Sequence, residues 1–205
     1  MPSFLSASEV SASEIWGRDV CFRKGEYHLV SAVSGAGKTS LLSYMFGERT
    51  DYTGSITFDA HSIHSLNSAG LSNLRKHQIG FVFQGLRLFS ELTAFENIAI
   101  KNRLTGYKTN DEILRMLECV GLAEKCNEKA ARLSFGQQQR VAIIRALCQP
   151  FDFLLMDEPF SHLDDNNIKI MESLVTQELE ARQAGLVLCS LGVEYPFIYC
   201  KKWKL

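Results

Sequence analysis

The run Ser34-Gly35-Ala36-Gly37-Lys38-Thr39-Ser40 gathers the groups that a chain of phosphates needs. Glycines let backbone N–H groups close around an anion, a lysine ammonium reaches its outer oxygens, and a threonine hydroxyl can ligate magnesium. All of these residues are therefore candidates for binding a nucleotide, with Thr39 also a metal ligand. The pattern expects a glycine at position 32, where Ala32 stands. The change costs on the order of 1 kcal/mol if that residue needs a positive φ, and otherwise little. Farther along, FDFLLMDEP sets Asp157 and Glu158 at the end of an apolar run. Asp157 suits magnesium, directly or through water. Glu158 can polarise a water that attacks a terminal phosphate, because phosphoryl transfer depends on positioning and charge stabilisation. Without the glycine loop the same pair would read equally as a solvated acidic turn.

A third stretch, LSFGQQQR, runs directly into VAIIRAL, which has the spacing of a helix that buries one face. A helix start offers unpaired N–H groups and a partial positive charge that favour an anion. Taken alone, LSFGQ reads better as a helix cap with a solvated polar first turn.

These residues need a scaffold. Tyr27 to Val33 reads as a buried strand that feeds the glycine loop, followed by a helix with Leu41, Leu42, Met45 and Phe46 on its apolar side and Gly47 at its end. Gly80 to Phe83, Phe153 to Met156 and Leu186 to Cys189 are further short buried strands, which predicts an α/β class with a largely parallel sheet. From Gly85 to Leu133 no strand pattern occurs. There Thr109 to Glu112 forms a capping box, Ile113, Leu114, Met116, Leu117 and Val120 an apolar stripe, and Gly121 a stop. The expected organisation is one domain over residues 1–205, with an α/β core of residues 1–84 and 134–205 and a helical subdomain of residues 85–133.

Lys plus Arg number 22 against 23 Asp plus Glu, so no global charge draws the chain onto nucleic acid or an acidic membrane. The start MPSFLSASEV lacks the pattern of a secretory signal, and no window approaches a spanning helix; a soluble, cytoplasmic chain is expected. Cys21, Cys119, Cys126, Cys148, Cys189 and Cys200 have no metal-ligand spacing and are expected to be small reduced core residues. His61 and His64 lack a third ligand and are expected to be ordinary polar side chains facing solvent.

With these pieces in order, the chain resembles the nucleotide-binding subunit of ATP-binding cassette (ABC) transporters, a P-loop NTPase fold. LSFGQ resembles the family signature, GFVFQ ends at Gln84 as its Q-loop, and SHLD ends at Asp164 as its D-loop. The resemblance implies ATP and Mg2+ as ligands. It implies magnesium contacts from Thr39, Gln84 and Asp157, and catalytic roles for Glu158 and Gln84. It also implies a head-to-tail dimer with a second copy, in which Ser134, Phe135, Gly136, Gln137 and Asp164 of one subunit meet nucleotide held by the other. The segment FQGLRLFSELTAFENI is similar to the lipoprotein-release, macrolide-export and cell-division branch. That implies an integral membrane permease as partner and a place on the cytoplasmic face of the inner membrane. Leu86, Leu88 and Phe89 would border a groove for a permease helix, or simply fill the core of the helical insert.

The chain departs from the family pattern in places. Phe135 stands where the signature usually has a glycine, and Leu191 where a histidine switch is expected. Losing one preorganised donor at such a site can cost roughly a hundred- to a thousandfold in rate. Two readings follow: an ATPase that drives a permease, or a nucleotide-gated dimerising module with negligible hydrolysis. A chromosome- or repair-type ATPase is disfavoured, since no heptad stretch or basic patch is present. Trp16 is the nearest aromatic to the family's adenine-stacking position and reads better as a core residue.

Overall fold

The apolar runs all become strands, and the sheet they form points one way. The computed structural model describes residues 7–33, 35–59 and 61–205. Its strands are β1 (Tyr27–Ser31), β2 (Thr57–Phe58), β3 (His61–Ser62), β4 (Ile79–Val82), β5 (Phe153–Asp157), β6 (Gly185–Ser190) and β7 (Lys201–Lys204). Its α-helices are α1 (Ala7–Ala12), α2 (Lys38–Met45), α3 (Ser68–His77), α4 (Ala94–Asn102), α5 (Asn110–Cys119), α6 (Phe135–Leu147) and α7 (Asp165–Arg182). Five strands pair in parallel in the order β4-β5-β6-β1-β7, while β2 and β3 form a short antiparallel pair.

Burial alternates along each central strand between two apolar layers. Leu29, Leu154, Met156, Leu186 and Leu188 face a layer built with α4, α5, α6 and α7. Val30, Leu155, Val187 and Cys189 face the other, built with α2 and α3. A sheet covered on both faces needs apolar side chains at every position, which is why its strands read as unbroken apolar runs. Parallel register brings the carboxyl ends of β1, β5 and β6 to one rim, where open α/β sheets collect ligands.

β7 was not legible in the sequence. Its lysines are exposed and only Trp203 is buried, so KKWK lacks an apolar run; charged side chains suit the edge of a sheet. The span from 85 to 133 contains helices and 3₁₀ turns, with an isolated bridge between Thr93 and Lys129. The expected capping box starts α5, where Thr109 and Glu112 exchange both bonds. Its stripe needs one correction: Leu114 is exposed, because it follows buried Ile113 by about 100° of helix rotation. The cysteines need another. All six are free, but Cys21, Cys119 and Cys200 are exposed, and only Cys148 and Cys189 are fully in the core. Apolar neighbours in sequence do not share a residue's direction on a helix or loop.

Candidate functional site

The phosphate loop has the backbone its glycines were expected to supply. Gly35 and Gly37 have φ of 85° and 92°, and Gly37 stands at the start of α2 with no side chain capping the helix. The first N–H groups of α2 are thus left for an anion. Ala32 is not in the left-handed region, so the missing glycine costs little. Ser34 lies outside the described residues. Ala36 accepts a 3.4 Å hydrogen bond at its carbonyl from the indole of Trp16, which is buried against Tyr44. Trp16 is a core residue supporting the loop, as expected. The hydroxyl of Ser40 accepts from Arg49 at 2.8 Å.

Lys38 is buried and folds back on its own loop, donating to the carbonyls of Ala32 and Val33 at 3.3 Å each. Its Nζ lies 3.9 Å from Glu158 Oε1. Thr39 donates from its hydroxyl to Asp157 Oδ2 at 2.7 Å. Strand β5 thus delivers its carboxylates under the phosphate loop. Burial raises the pKa of Asp157, opposed by the Thr39 hydroxyl and the Lys38 ammonium. Burial also raises that of Glu158, opposed by Lys38 and reinforced by the charge of Asp157.

Asp157 Oδ1 and Glu158 Oε1 are buried without a hydrogen-bond partner, Glu158 keeping its 3.9 Å ion pair with Lys38, although a buried polar atom left unbonded is costly. This arrangement fits a hard divalent cation, which needs one or two protein oxygens and takes the rest of its shell from water and phosphate. Glu158 also carries backbone strain. Its φ is 49°, a region costly for a residue with a side chain. The conformation is held by its N–H to the Cys189 carbonyl at 3.0 Å, and by donors to its own carbonyl from Gln139 at 3.1 Å and Ser161 at 3.2 Å.

The glutamines of LSFGQQQR have separate partners. Ser134 caps α6: its hydroxyl accepts from Gln137 N at 3.3 Å while Gln137 Oε1 accepts from Ser134 N at 2.9 Å. Gln138 donates to the carbonyls of Ala130 and Leu133, tying the helix start to the preceding turn. Gln139 turns inward to the segment after β5. Phe135 is about half exposed with its ring 4.2 Å from that of His162, and a Cβ on Gly136 would lie 2.8 Å from the His162 carbonyl oxygen. Asp164 caps α7, accepting from Asn167 N at 2.8 Å.

The structure therefore brings Lys38, Thr39, Asp157 and Glu158 together. Ser134, Phe135, Gly136 and Gln137 gather beside His162 instead, and no hydrogen bond found among the described residues joins them to the phosphate loop. Gln84 is exposed just beyond β4.

The sequence profile of the ABC transporter family matches residues 17–161.

The chain belongs to the ABC transporter family.

An ABC relative, the lipoprotein-releasing system ATP-binding protein LolD of Buchnera aphidicola, is 38% identical over 156 residues, covering 75% of this chain and 68% of that protein. The macrolide export ATP-binding/permease protein MacB of Campylobacter jejuni is 37% identical over 169 residues, covering 80% of this chain but 26% of that protein. Among solved structures, the dimeric bacterial ABC transporter cassette MJ0796 aligns with a TM-score of 0.77 at 28% identity, over 84% of this chain and 77% of that one. A dimeric post-hydrolysis state of the same cassette, bound to ADP and Pi, aligns with a TM-score of 0.73 at 30% identity, over 83% of this chain and 77% of that one. The fold is that of an ABC ATP-binding cassette.

Two further positions have particular surroundings here. Leu191 is half exposed at the end of β6, and its neighbour Ser190 is fully buried with its hydroxyl donating to the Val193 carbonyl at 2.5 Å. Ser190 is thus committed to the turn. After Gln84, Leu86 is buried, Leu88 half-buried and Phe89 exposed, so core filling and surface are divided among them. Leu86, Leu88, Ala130, Phe135 and Gln138 line a cavity of about 150 Å³. Sequence reasoning missed Arg145, which donates to the carbonyls of Leu86 and Arg87 at 2.5 and 2.6 Å, both residues having left-handed φ. An arginine interrupting an apolar helix pattern was the available signal.

Proposed function

We propose that this ABC cassette is the ATP-hydrolysing subunit of a transporter, closing with a second copy around ATP and Mg2+ and driving a membrane permease. The observation that carries this reading is the Thr39–Asp157 contact beneath Lys38, with one buried oxygen on each of Asp157 and Glu158 lacking a hydrogen-bond partner. Lys38 and the N–H groups of Gly35 to Ser40 hold the phosphates; Thr39 and Asp157, with Gln84, hold magnesium. Magnesium held there would supply charge neutralisation for the phosphates. Glu158 orients the attacking water and accepts its proton, a task suited to a carboxyl whose burial makes it more basic. Ser134, Phe135, Gly136, Gln137 and Asp164 serve the nucleotide of the second copy, which explains why they stand apart from their own phosphate loop.

Residues 85–133 form the helical subdomain in this reading, and the cavity beside Leu88 and Phe135 receives the permease. The named relatives in lipoprotein release and macrolide export support a peripheral place on the cytoplasmic face of the inner membrane. Nucleic acid is not a partner. The test is magnesium-dependent ATP turnover by the purified chain, with Glu158→Gln as the blank. Turnover above the blank supports the motor.

One observation favours a second reading. With Leu191 apolar and Ser190 committed to Val193, a donor for the outer phosphate is missing. A nucleotide-gated module would bind ATP and dimerise, yet match the blank even with its permease present.

A further inference from the structure

We propose that Gln139 is a positioning residue for Glu158, and that it makes the first turns of α6 and residues 158–163 one mechanical unit. The inference rests on the reading of Glu158 as the residue that orients the attacking water.

Gln139 is 1% exposed on an otherwise apolar helix face. A buried amide is costly unless its donors and acceptor are used, and here one segment uses them. Its Nε2 donates to the Glu158 carbonyl at 3.1 Å and lies 3.4 Å from Ser161 Oγ, while its Oε1 accepts from the His162 N–H at 3.3 Å. The first of these bonds grips the residue whose φ is 49°. With the Glu158 N–H bound to Cys189, the amide restrains the peptide on the other side of the same α-carbon. Removing it leaves that carbonyl to Ser161 and loosens the peptide, which shifts the carboxylate relative to Lys38.

The same segment is tied to the start of α6. The Phe135 ring sits 4.2 Å from that of His162, and a Cβ at Gly136 would lie 2.8 Å from the His162 oxygen, so no gap separates them. A force on Ser134 to Gly136, such as engagement of a second copy's nucleotide, therefore reaches Glu158 through packed contacts and the Gln139 amide. Small displacements matter at this centre, since about 1 Å of misplacement can cost on the order of a hundredfold in rate.

The test uses Gln139→Met, which keeps the length of the side chain and removes its bonds. Three quantities are compared with the unsubstituted chain: backbone hydrogen exchange over residues 158–163, nucleotide affinity, and turnover with Glu158 or with Glu158→Gln. Faster exchange at the His162 amide is expected. So are unchanged affinity and KM and a fall in kcat of about tenfold or more. That fall disappears in the Glu158→Gln background, because the amide acts through that carboxylate. An equal loss in both backgrounds, or unchanged exchange, overturns the proposal. Should Gln139→Met fail to fold, Gln139→Glu keeps the acceptor for His162 and removes the donor to Glu158; the kcat fall is expected there too, and its absence counts against the proposal. If the unsubstituted chain itself does not exceed Glu158→Gln, hydrolysis is the reading that fails, and exchange alone decides whether Gln139 holds the segment.

Discussion

The Thr39 hydroxyl donates a 2.7 Å hydrogen bond to Asp157 Oδ2, joining the first turn of α2 to the last residue of β5. The other oxygen of Asp157 has no partner, so this bond is its only anchor found in the described structure. Thr39→Val leaves the buried carboxylate wholly unpaired and is expected to cost about 1–3 kcal/mol of stability. It should also weaken the magnesium dependence of ATP binding. Urea unfolding and a magnesium titration check both; a stability loss with unaltered magnesium dependence confines Thr39 to a structural role.

The raised pKa of Glu158 has a consequence for stability against pH. Its folded value lies above its ordinary 4.5, so the folded chain keeps a proton that the unfolded chain has released. Stability from this group is therefore present below 4.5 and is lost as pH rises through the folded value. Asp157 acts in the same direction above its ordinary 3.8. Asp164 and Glu112 are lowered by backbone N–H bonds and act in the opposite direction below their ordinary values. The Glu158→Gln chain should thus gain stability relative to the unsubstituted chain as pH rises above 4.5. Denaturant unfolding from mildly acidic to neutral pH measures the gap, and a gap that narrows contradicts this account.

Gly136 leaves no room for a methyl group. The position of its Cβ is 2.8 Å from the His162 oxygen and 3.3 Å from Leu163 Cδ2, and the first is backbone that cannot swing aside. Gly136→Ala is expected to destabilise the free chain by about 1–3 kcal/mol. Thermal unfolding without nucleotide checks this, and an unchanged midpoint would mean that the contact yields easily.

Ser134 has a cap to maintain and, in the proposed dimer, a nucleotide to meet. Ser134→Asp keeps an acceptor for Gln137 N and suits a helix start, so stability should stay within about 0.5 kcal/mol. The added charge should nevertheless abolish dimerisation driven by ATP, seen by light scattering in the Glu158→Gln background. Dimers that still form would place Ser134 away from the second nucleotide.

Leu191 is half exposed, and Leu191→His should leave stability within about 0.5 kcal/mol. A restored donor at the outer phosphate should raise turnover by up to about a hundredfold. Steady-state kinetics decide, and equal rates would show that the site manages without an imidazole.

Much of this protein was legible before its structure. The phosphate loop, the carboxylate pair and the central strands announce themselves because each depends on contiguous residues: glycines where φ must be positive, and apolar runs where a sheet is covered on both faces. The capping box at Thr109 and Glu112 is similarly local. Strand β7 escaped because an edge strand with a single buried residue has no pattern to read. Leu114 and the exposed cysteines escaped because which side of a turn is buried depends on what packs there.

The three glutamines after Phe135 mark the boundary most clearly. Sequence alone determined that a helix starts at Ser134 and that its first turn is polar, since capping is settled within a few residues. It did not determine that Gln137 closes the cap, that Gln138 holds the preceding turn, or that Gln139 reaches the Glu158 carbonyl. Those assignments follow from how α6 packs on the end of β5. The same packing placed Thr39 against Asp157 and set Ser134 apart from the phosphate loop of its own chain. Local propensity is written along the chain, but the direction of a buried polar side chain is chosen only when distant elements close around it and leave it one partner.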